Sequence, residues 1–383
     1  FAVAGILFAA SANDLFMLFV SLELVTVTFY VLNSFQRNRL MSLEAGVKYL
    51  IMGALSSAFL VFGIALMSGS AGTANFAELN ARQLELAKNP LFLASLLLVM
   101  AGLGFKIAAF PFQIWAPDVY QGSPTPATAL LACGSKATGF VLLLRLMLGV
   151  VPVITVEWHR IWLLTGVVTI LYGSLCAIPQ RSVKRIMGYS SIANAGFLVL
   201  GMATVSSLGS AAVMYYLGGY FFTVLGAFTV LSVILSDSDN DDIAAFASMG
   251  QRSPFLAAAL TIAMASLAGI PPMVGFFGKF LIFRSVAELG FKDPAYVWAL
   301  AAAVVGAVVS LYYYFGVIRS MYWGVNPVNL TPIRTSLPAK LAVGICVAGM
   351  LYNGIAPNGL LEQAGNAAAV FKLSPATPMH AGK

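Results

Sequence analysis

Charge is what this chain has least of. Only 9% of its 383 residues are Asp, Glu, Lys or Arg, while 60% are hydrophobic and the mean hydropathy is +0.90. No soluble core needs that balance. Long apolar runs with so few charges read as membrane-spanning helices. The length therefore divides into spans rather than into two or three soluble domains. Cysteine is scarce too. Cys133, Cys176 and Cys346 each stand alone in an apolar stretch, with no CxxC and no Cys/His ligand spacing. That argues against an iron–sulfur or zinc site and for small buried packing residues. His159 and His380 lie in or near loops, with no ligand partner nearby in sequence. No usable Gly-x-Gly-x-x-Gly follows a strand, so nothing points to a dinucleotide. The net charge of +7 is spread over loops, with no Lys/Arg run dense enough for nucleic acid. The chain opens on Phe1 inside an apolar run, without Met or a charged segment, which is no signal-peptide pattern. The expectation is that a preceding part is missing.

What is present is a series of apolar segments. Residues 1–12 read as the end of a cut helix. Whole spans follow at 14–34, 44–68, 91–115, 123–150, 161–179, 185–205, 211–236, 254–287, 295–319 and 338–356. The fold class is thus an all-α polytopic membrane protein with about eleven transmembrane helices in one membrane domain, 1–383. The polar stretch 69–90 is the longest early loop and suits a short surface helix; the tail after Pro357 is expected to be loose. Arg37, Arg39, Arg181, Lys184, Arg185, Arg252, Arg319, Arg334 and Lys340 fall on one set of alternate loops. Arg82, Lys88, Arg160, Lys292 and the tail lysines fall on the other. The first set is the richer, and the positive-inside rule places it in the cytoplasm. Asp237, Asp239, Asp241 and Asp242 share that side, but acidic residues weigh little in the rule.

Two spans carry breaks of one kind. Ala109-Phe110-Pro111 follows Lys106, and Gly269-Ile270-Pro271-Pro272 precedes Lys279. A proline inside a helix removes a backbone hydrogen bond and clashes with the carbonyl four residues back. Each break falls near the end of a five-helix block, 1–150 and 161–319, with 320–383 left for the last helix and tail. This pattern suggests two inverted repeats, in which interrupted helices mark a transport site.

Four ionisable residues lie deep in the spans: Glu23, Lys106, Lys136 and Lys279. A lysine at the centre of a bilayer costs roughly 2.5–3.5 kcal/mol on insertion scales, and such residues mark polar pathways. Arg145, Arg284 and Lys48 lie where snorkelling to the interface accounts for them. Lysine suits proton binding, because its charge is readily lost on burial and restored by a nearby carboxylate. At 4 Å and an effective dielectric near 20, such a pair attracts by around 4 kcal/mol. Carrying a charge across 100 mV costs about 2.3 kcal/mol, so the two energies are commensurate. The small residues Gly134, Ser135, Ala137 and Gly139 allow close helix approach around Lys136. Thr138, Ser191 and Asn194 are candidates for holding water between sites. Tyr215, Tyr216 and Tyr220 read as packing rather than relay, and the run Tyr312 to Phe315 as an interface or packing feature.

The stretch FKIAAFPFQIWAPDVYQGSPTPATALLACGSK resembles the antiporter-like membrane subunits of respiratory complex I, and within them the subunit N family of bacterial NADH:quinone oxidoreductase. The shared motif is Pro111, Phe112, Trp115, Pro117, Asp118, Pro124, Thr125 and Pro126. Asp118 to Gly122, "DVYQG", points to subunit N rather than its sisters L and M. Further matches are VKRIMGYSSIANAG at 183–196 and AGIPPMVGFFGKF at 268–280. The resemblance covers essentially the whole chain. It implies fourteen helices in the family, so that this chain lacks about three and part of a fourth. It implies inverted repeats, each with a broken helix, and proton translocation along a mid-membrane Glu/Lys chain. Glu23, Lys106, Lys136 and Lys279 match that chain; Pro111, Asp118, Ser191, Asn194, Pro271 and Pro272 are its supporting positions. Asn194 stands where many relatives have histidine, and an asparagine carries no proton at neutral pH. Flavin and iron–sulfur clusters would belong to partner subunits, with none in this chain; M-type and K-type subunits, lipid and a bacterial inner (plasma) membrane are its implied surroundings. Two other readings stay open: a subunit of a multisubunit Na⁺/H⁺ antiporter, and a structural membrane subunit whose ion pairs do not titrate.

Overall fold

A computed structural model describes residues 1–237, 240–324 and 331–370; the Asp237 side chain, Asp239 and the tail from 371 onward lie outside the described residues. Among these residues nine helices are long and apolar enough to cross a membrane. They are Leu15–Asn33, Leu40–Ala71, Pro90–Ile107, Thr125–Val150, His159–Ala177, Val183–Ala203, Ser207–Ser236, Pro294–Trp323 and Leu337–Ile355. Ala2–Ser11 and Pro254–Ala268 are shorter apolar helices. Extended backbone pairing among the described residues is confined to isolated bridges, Asp14 with Asn75 and Ser182 with Asp242.

Helix ends follow local chemistry. Asp14 accepts from Met17 N at 2.8 Å, and Asn89 accepts from Leu91 N at 3.0 Å just before Pro90 in the first turn. Both satisfy amides that the helix itself leaves free. Asp293 caps the helix that begins at Pro294, accepting from Ala295 N at 2.9 Å. The polar loop 69–90 carries the helices Phe76–Ala81 and Gln83–Leu86, agreeing with the surface helix expected there.

Both expected breaks are present. The span read as 91–115 is a helix Pro90–Ile107 followed, after a turn, by the short helix Trp115–Gly122. Ala108 ends the first part in the left-handed region at φ 56°. The span read as 254–287 divides into Pro254–Ala268 and Val274–Gly290, with Gly269 at φ 86°. Phe110-Pro111 and Pro271-Pro272 are both cis. A third interruption was not foreseen: Thr125–Val150 loosens into π-helical turns at Leu131–Ser135 and Arg145–Val150. The tail departs from the reading as loose. Residues Asn358–Ala369 form a helix that docks on Ser207–Asp237, because Leu360 packs against Gly218 and both Ala364 and Ala368 are buried.

Val183–Ala203 is the axis of the bundle. It packs on His159–Ala177, Trp115–Gly122, Ser207–Asp237, Val274–Gly290 and Pro294–Trp323, and almost all of it is buried. Its closest neighbour is His159–Ala177, and glycine permits the approach. A Cβ added at Gly173 would lie 2.8 Å from the Tyr189 carbonyl oxygen, and one at Gly196 would lie 2.7 Å from that of Gly166. Small residues at such crossings replace the hydrophobic drive that lipid cannot provide. We therefore expect Gly173→Val to destabilise this helix pair by about 1–3 kcal/mol through overpacking. The loss is read as a lower melting temperature of the purified protein in detergent. Gly316→Ala, at a position with nothing within 4 Å, should leave that temperature level or raise it.

Candidate functional site

The three lysines singled out in the spans are all buried: Lys106 is 2% exposed, Lys136 3% and Lys279 4%. Each comes from a different helix and meets a different set of neutral partners. Among the described residues none of the three has a carboxylate partner at ion-pair distance.

Lys106 sits in the last turn of Pro90–Ile107, where the helix dipole favours a cation. Its Nζ lies 3.4 Å from the Tyr49 hydroxyl and 5.4 Å from the ring centroids of both Tyr49 and Phe105. The break beside it leaves backbone groups to be satisfied. Trp115 Nε1 donates to the Phe105 carbonyl at 3.0 Å, and Thr169 Oγ1 accepts from Phe110 N at 3.0 Å. Lys279 follows its break in sequence rather than preceding it, yet reaches back to the same kind of place. Its Nζ donates to the Leu267 carbonyl at 2.6 Å and to that of Ala268 at 3.3 Å. Those are the final carbonyls of Pro254–Ala268. The Phe197 ring lies 4.9 Å beneath the ammonium. Both lysines thus occupy the negative end of an interrupted helix, from opposite sides of the interruption.

Lys136 begins the α-helical run after the π-helical turn Leu131–Ser135. Its Nζ donates to both the carbonyl and the hydroxyl of Ser191 and stands 5.5 Å from the Tyr220 ring. Such π turns re-aim the residues around them. Ser191 Oγ also meets the Tyr120 hydroxyl at 2.9 Å. Three residues further along the axis helix, Asn194 accepts from the Tyr216 hydroxyl at 2.6 Å and donates to Ser190 Oγ at 3.3 Å. Ser190 in turn shares a hydrogen bond with the Tyr314 hydroxyl. Two separate hydrogen-bonded groups therefore sit on the axis helix, Ser191 with Lys136 and Tyr120, and Asn194 and Ser190 with Tyr216 and Tyr314; no hydrogen bond among the described residues joins them. Thr138 is in neither, because its hydroxyl is turned back to Gly134 of its own helix.

Glu23 is half-buried and accepts from the Ser57 hydroxyl. It lies within electrostatic range of Tyr30, Tyr49 and Lys106 but forms no ion pair with Lys106 among the described residues. The 4 Å separation used to size the Glu–Lys attraction is not met as a contact: Glu23 bonds Ser57 and Lys106 nears Tyr49, both on Leu40–Ala71. Pro111, Pro271 and Pro272 stand at the two breaks. Asp118 lies away from the central line, at one end of the bundle. It accepts from Lys48 Nζ and from Arg185 Nη1, each at 2.7 Å. Burial acts to raise its proton affinity; the Lys48 and Arg185 hydrogen bonds and charges outweigh that and hold the carboxyl below its usual range. Lys48 does not simply snorkel, as its place in the span suggested: it bridges Asp118 and Glu44. Arg145, also assigned to snorkelling, donates to Asn13 Oδ1 at 2.7 Å and to the Ala10 carbonyl.

The partners that the sequence does not reveal are mostly hydroxyls. Tyr49 has no local signal, Tyr120 stands out only within DVYQG, and Tyr216 and Tyr314 read from sequence as packing or interface residues. The available signal was a tyrosine far from either end of an apolar span, where a buried phenol needs a partner. His159 also proves to have a distant partner: its Nε2 is 3.1 Å from Asp293 Oδ2, and its ring stacks on Tyr296 at 5.7 Å.

The arrangement can hold three protonatable amines with protein groups in place of water: Lys106 against a hydroxyl and two rings, Lys279 against two carbonyls and a ring, and Lys136 against a carbonyl, a hydroxyl and a ring. A direct check is amine acylation by a membrane-impermeant reagent with peptide mapping. Lys106, Lys136 and Lys279 should remain unmodified in the folded protein while the exposed Lys88 and Lys292 react, and all five should react once it is unfolded.

Comparisons with known proteins bear on this geometry. A family profile described as NADH:quinone oxidoreductase/Mrp antiporter, TM, matches residues 12–331. The chain is 38% identical over 370 residues to NADH-quinone oxidoreductase subunit N of Moorella thermoacetica, covering 97% of this chain and 77% of that one. A chain in the structure of respiratory complex I from Thermus thermophilus with bound aureothin is 34% identical, with a TM-score of 0.79, covering 94% of this chain and 78% of that one. A chain of the Mrp complex from Dietzia sp. DQ12-45-1b shares the fold at a TM-score of 0.87 with 21% identity, covering 97% of this chain and 76% of that one.

Proposed function

This chain belongs to the NADH:quinone oxidoreductase/Mrp antiporter transmembrane family, and from that premise we propose that it is the subunit of respiratory complex I that carries protons through Glu23, Lys106, Lys136 and Lys279. The observation that carries the residue assignment is the burial of three lysines from three helices, two of them at the carbonyl ends of broken helices, with buried hydroxyl groups beside Lys106 and Lys136. A non-titrating scaffold has no use for amines placed in this way without carboxylate partners.

In this reading Glu23 is the electrostatic control. It feels Lys106 across Tyr49, so a change in its own charge alters how firmly Lys106 holds its proton. Lys136 gives a proton to Ser191 Oγ as the Ser191 O–H proton moves to the Tyr120 hydroxyl oxygen and the Tyr120 O–H proton passes to water, so each hydroxyl gains one proton as it loses one. Pro111 and the Pro271-Pro272 pair keep the two helix ends open, and Ser191 and Asn194 orient the groups between. The two breaks support an inverted pair of repeats, 1–150 and 161–319, with 320–383 as an appended helix and tail. Electron transfer, with its flavin and iron–sulfur clusters, belongs to partner subunits. Neighbours of the M and K types flank this chain in a bacterial inner (plasma) membrane. Sodium-dependent transport by the assembly would favour the antiporter alternative, for which the Dietzia likeness supports only the fold.

The test is Lys106→Ala in the complete complex, with assembly checked on a native gel. Proton pumping and NADH:quinone activity should fall together by about tenfold or more, the scale of losing a positioned proton carrier. Normal pumping in an assembled complex would return the lysine to a structural role. Ser191→Ala and Tyr120→Phe act on one link. Each should slow pumping severalfold, and the double variant should be no slower than the worse single.

A further inference from the structure

At the end of the bundle that the loop charges assign to the cytoplasm, Met41, Glu44, Ala45, Lys48, Asp118, Gln121, Gly122 and Arg185 line an open cavity of about 110 Å³. That is room for several water molecules, since one needs roughly 10–15 Å³ by the same measure. The charges in it are arranged unequally. Asp118 is held by Arg185 through Nη1 at 2.7 Å and by Lys48 through Nζ at 2.7 Å. Lys48 also touches Glu44 at 2.7 Å, one helical turn away on its own helix. Lys48 therefore has two carboxylates to choose between: Glu44, with its side chain 57% exposed, and Asp118, 33% exposed. Gln121 donates no charge but shares Arg185 with Asp118, through its side-chain oxygen at 3.2 Å.

We propose that this cavity is the proton-uptake port of the chain, with Asp118 as the acceptor and Lys48 as the cation that exposes it. The proposal rests on the reading of the chain as a proton-translocating subunit and names its entrance. While Lys48 bonds Asp118, the carboxylate is clamped by two cations and holds no proton, in line with its lowered proton affinity. When Lys48 turns to Glu44 alone, the bond to Asp118 Oδ2 breaks. A hydronium ion from the cavity then gives its proton to that oxygen and leaves as water. Return of Lys48 expels the proton again, to a cavity water that leaves as hydronium, and the short helix that bears Asp118 also leads towards the interior. Trp115–Gly122 bears Asp118 in the cavity and, two residues on, Tyr120, whose hydroxyl meets Ser191 and through it Lys136. At its end the Ser123 hydroxyl is buried with no hydrogen-bond partner among the described residues, next to Thr128, while the Ser123 carbonyl accepts from Lys184 at 2.6 Å. Lys48 itself precedes Tyr49, the partner of Lys106. Opening the port thus bears on the surroundings of both lysines of the first half.

The experiment uses inverted membrane vesicles carrying the whole complex, whose cytoplasmic face is bathed by the outer medium. Coupled NADH:quinone turnover and proton pumping are followed while the outer pH is varied. Asp118→Asn should assemble and lose pumping by about tenfold or more, with Asp118→Glu restoring most of it. Lys48→Met frees Asp118 from one cation, so the alkaline limit of pumping should move up by about one pH unit or more. Glu44→Gln removes the alternative seat and should slow pumping with no such displacement. An assembled Asp118→Asn complex that pumps within twofold of the parent at every pH overturns the proposal. If Asp118→Asn does not assemble, the two partly exposed neighbours decide: a Lys48→Met profile that superimposes on the parent overturns it as well. Lys106→Ala in the same vesicles separates this from failure of the broader reading. Loss of pumping there with none in Asp118→Asn rejects the port alone, and normal pumping there rejects both.

Discussion

Everything in this bundle answers to the placing of three ammonium groups inside an apolar body without carboxylates to meet them. An unpaired buried charge is among the most unfavourable things a fold can contain. The chain resolves this by interrupting its own secondary structure. Along a continuous helix each carbonyl is already engaged by the amide four residues on and has only its second lone pair left for a neighbour. A broken one ends in carbonyls that have no amide. Lys279 takes two such oxygens, from Leu267 and Ala268, and Lys106 sits in the terminal turn of Pro90–Ile107. The left-handed Ala108 and Gly269 stop the two helices, and the prolines keep them from resuming at once. Lys136, which has no break of this kind, takes a carbonyl of the axis helix together with the Ser191 hydroxyl, and a π turn precedes it. Aromatic faces complete all three sites, at 4.9 to 5.5 Å from the nitrogens.

The second constraint is room. Buried polar groups in the middle of a membrane protein must be packed closely, or the hydroxyls lose contact with their partners. The axis helix Val183–Ala203 meets that demand by being small where its neighbours cross. Gly173 and Gly196 let it approach His159–Ala177 closely, and Gly188 faces the backbone of Pro117 in the short helix that bears Asp118 and Tyr120. The hydroxyls of Ser190 and Ser191 then project on two sides of one turn, one to Tyr314 and the other to Lys136 and Tyr120. Packing and polarity are served by the same stretch of sequence, so GYSSIANAG is both a helix-crossing pattern and a source of buried hydrogen-bonding groups.

How much of this was legible in the sequence follows from the reach of each signal. A charge in an apolar run is visible from its neighbours alone, so Lys106, Lys136, Lys279 and Glu23 stood out, as did the proline breaks. A tyrosine is not, since its ring packs as well as its hydroxyl bonds; Tyr216 and Tyr314 read from sequence as packing or interface residues, and only the fold shows their partners. Contacts across long separations were hidden altogether. Lys48 and Asp118 are 70 positions apart, and His159 and Asp293 are 134 apart, with nothing local to announce either pair. The π turns escaped because their residues, LACGS, suit an ordinary α-helix. The helix Asn358–Ala369 escaped because its composition is that of a loose tail until Leu360 finds the groove at Gly218.

Asn194 shows what these constraints imply for proton movement. The Tyr216 hydroxyl donates to its side-chain oxygen, and its side-chain nitrogen donates to Ser190. An amide arranged in this way has fixed polarity: it accepts on one side and donates on the other, and its nitrogen does not release a proton at neutral pH. A hydroxyl passes a proton by taking one and giving another, whereas this amide cannot complete the exchange. The Lys136–Ser191 group and the Asn194 group are not joined by a hydrogen bond among the described residues, so on the proposed proton path transfer between the two halves crosses a gap that this amide does not close. What Asn194 does is fix its neighbours: it holds the Tyr216 hydroxyl and Ser190, and through Ser190 the Tyr314 hydroxyl, in one arrangement.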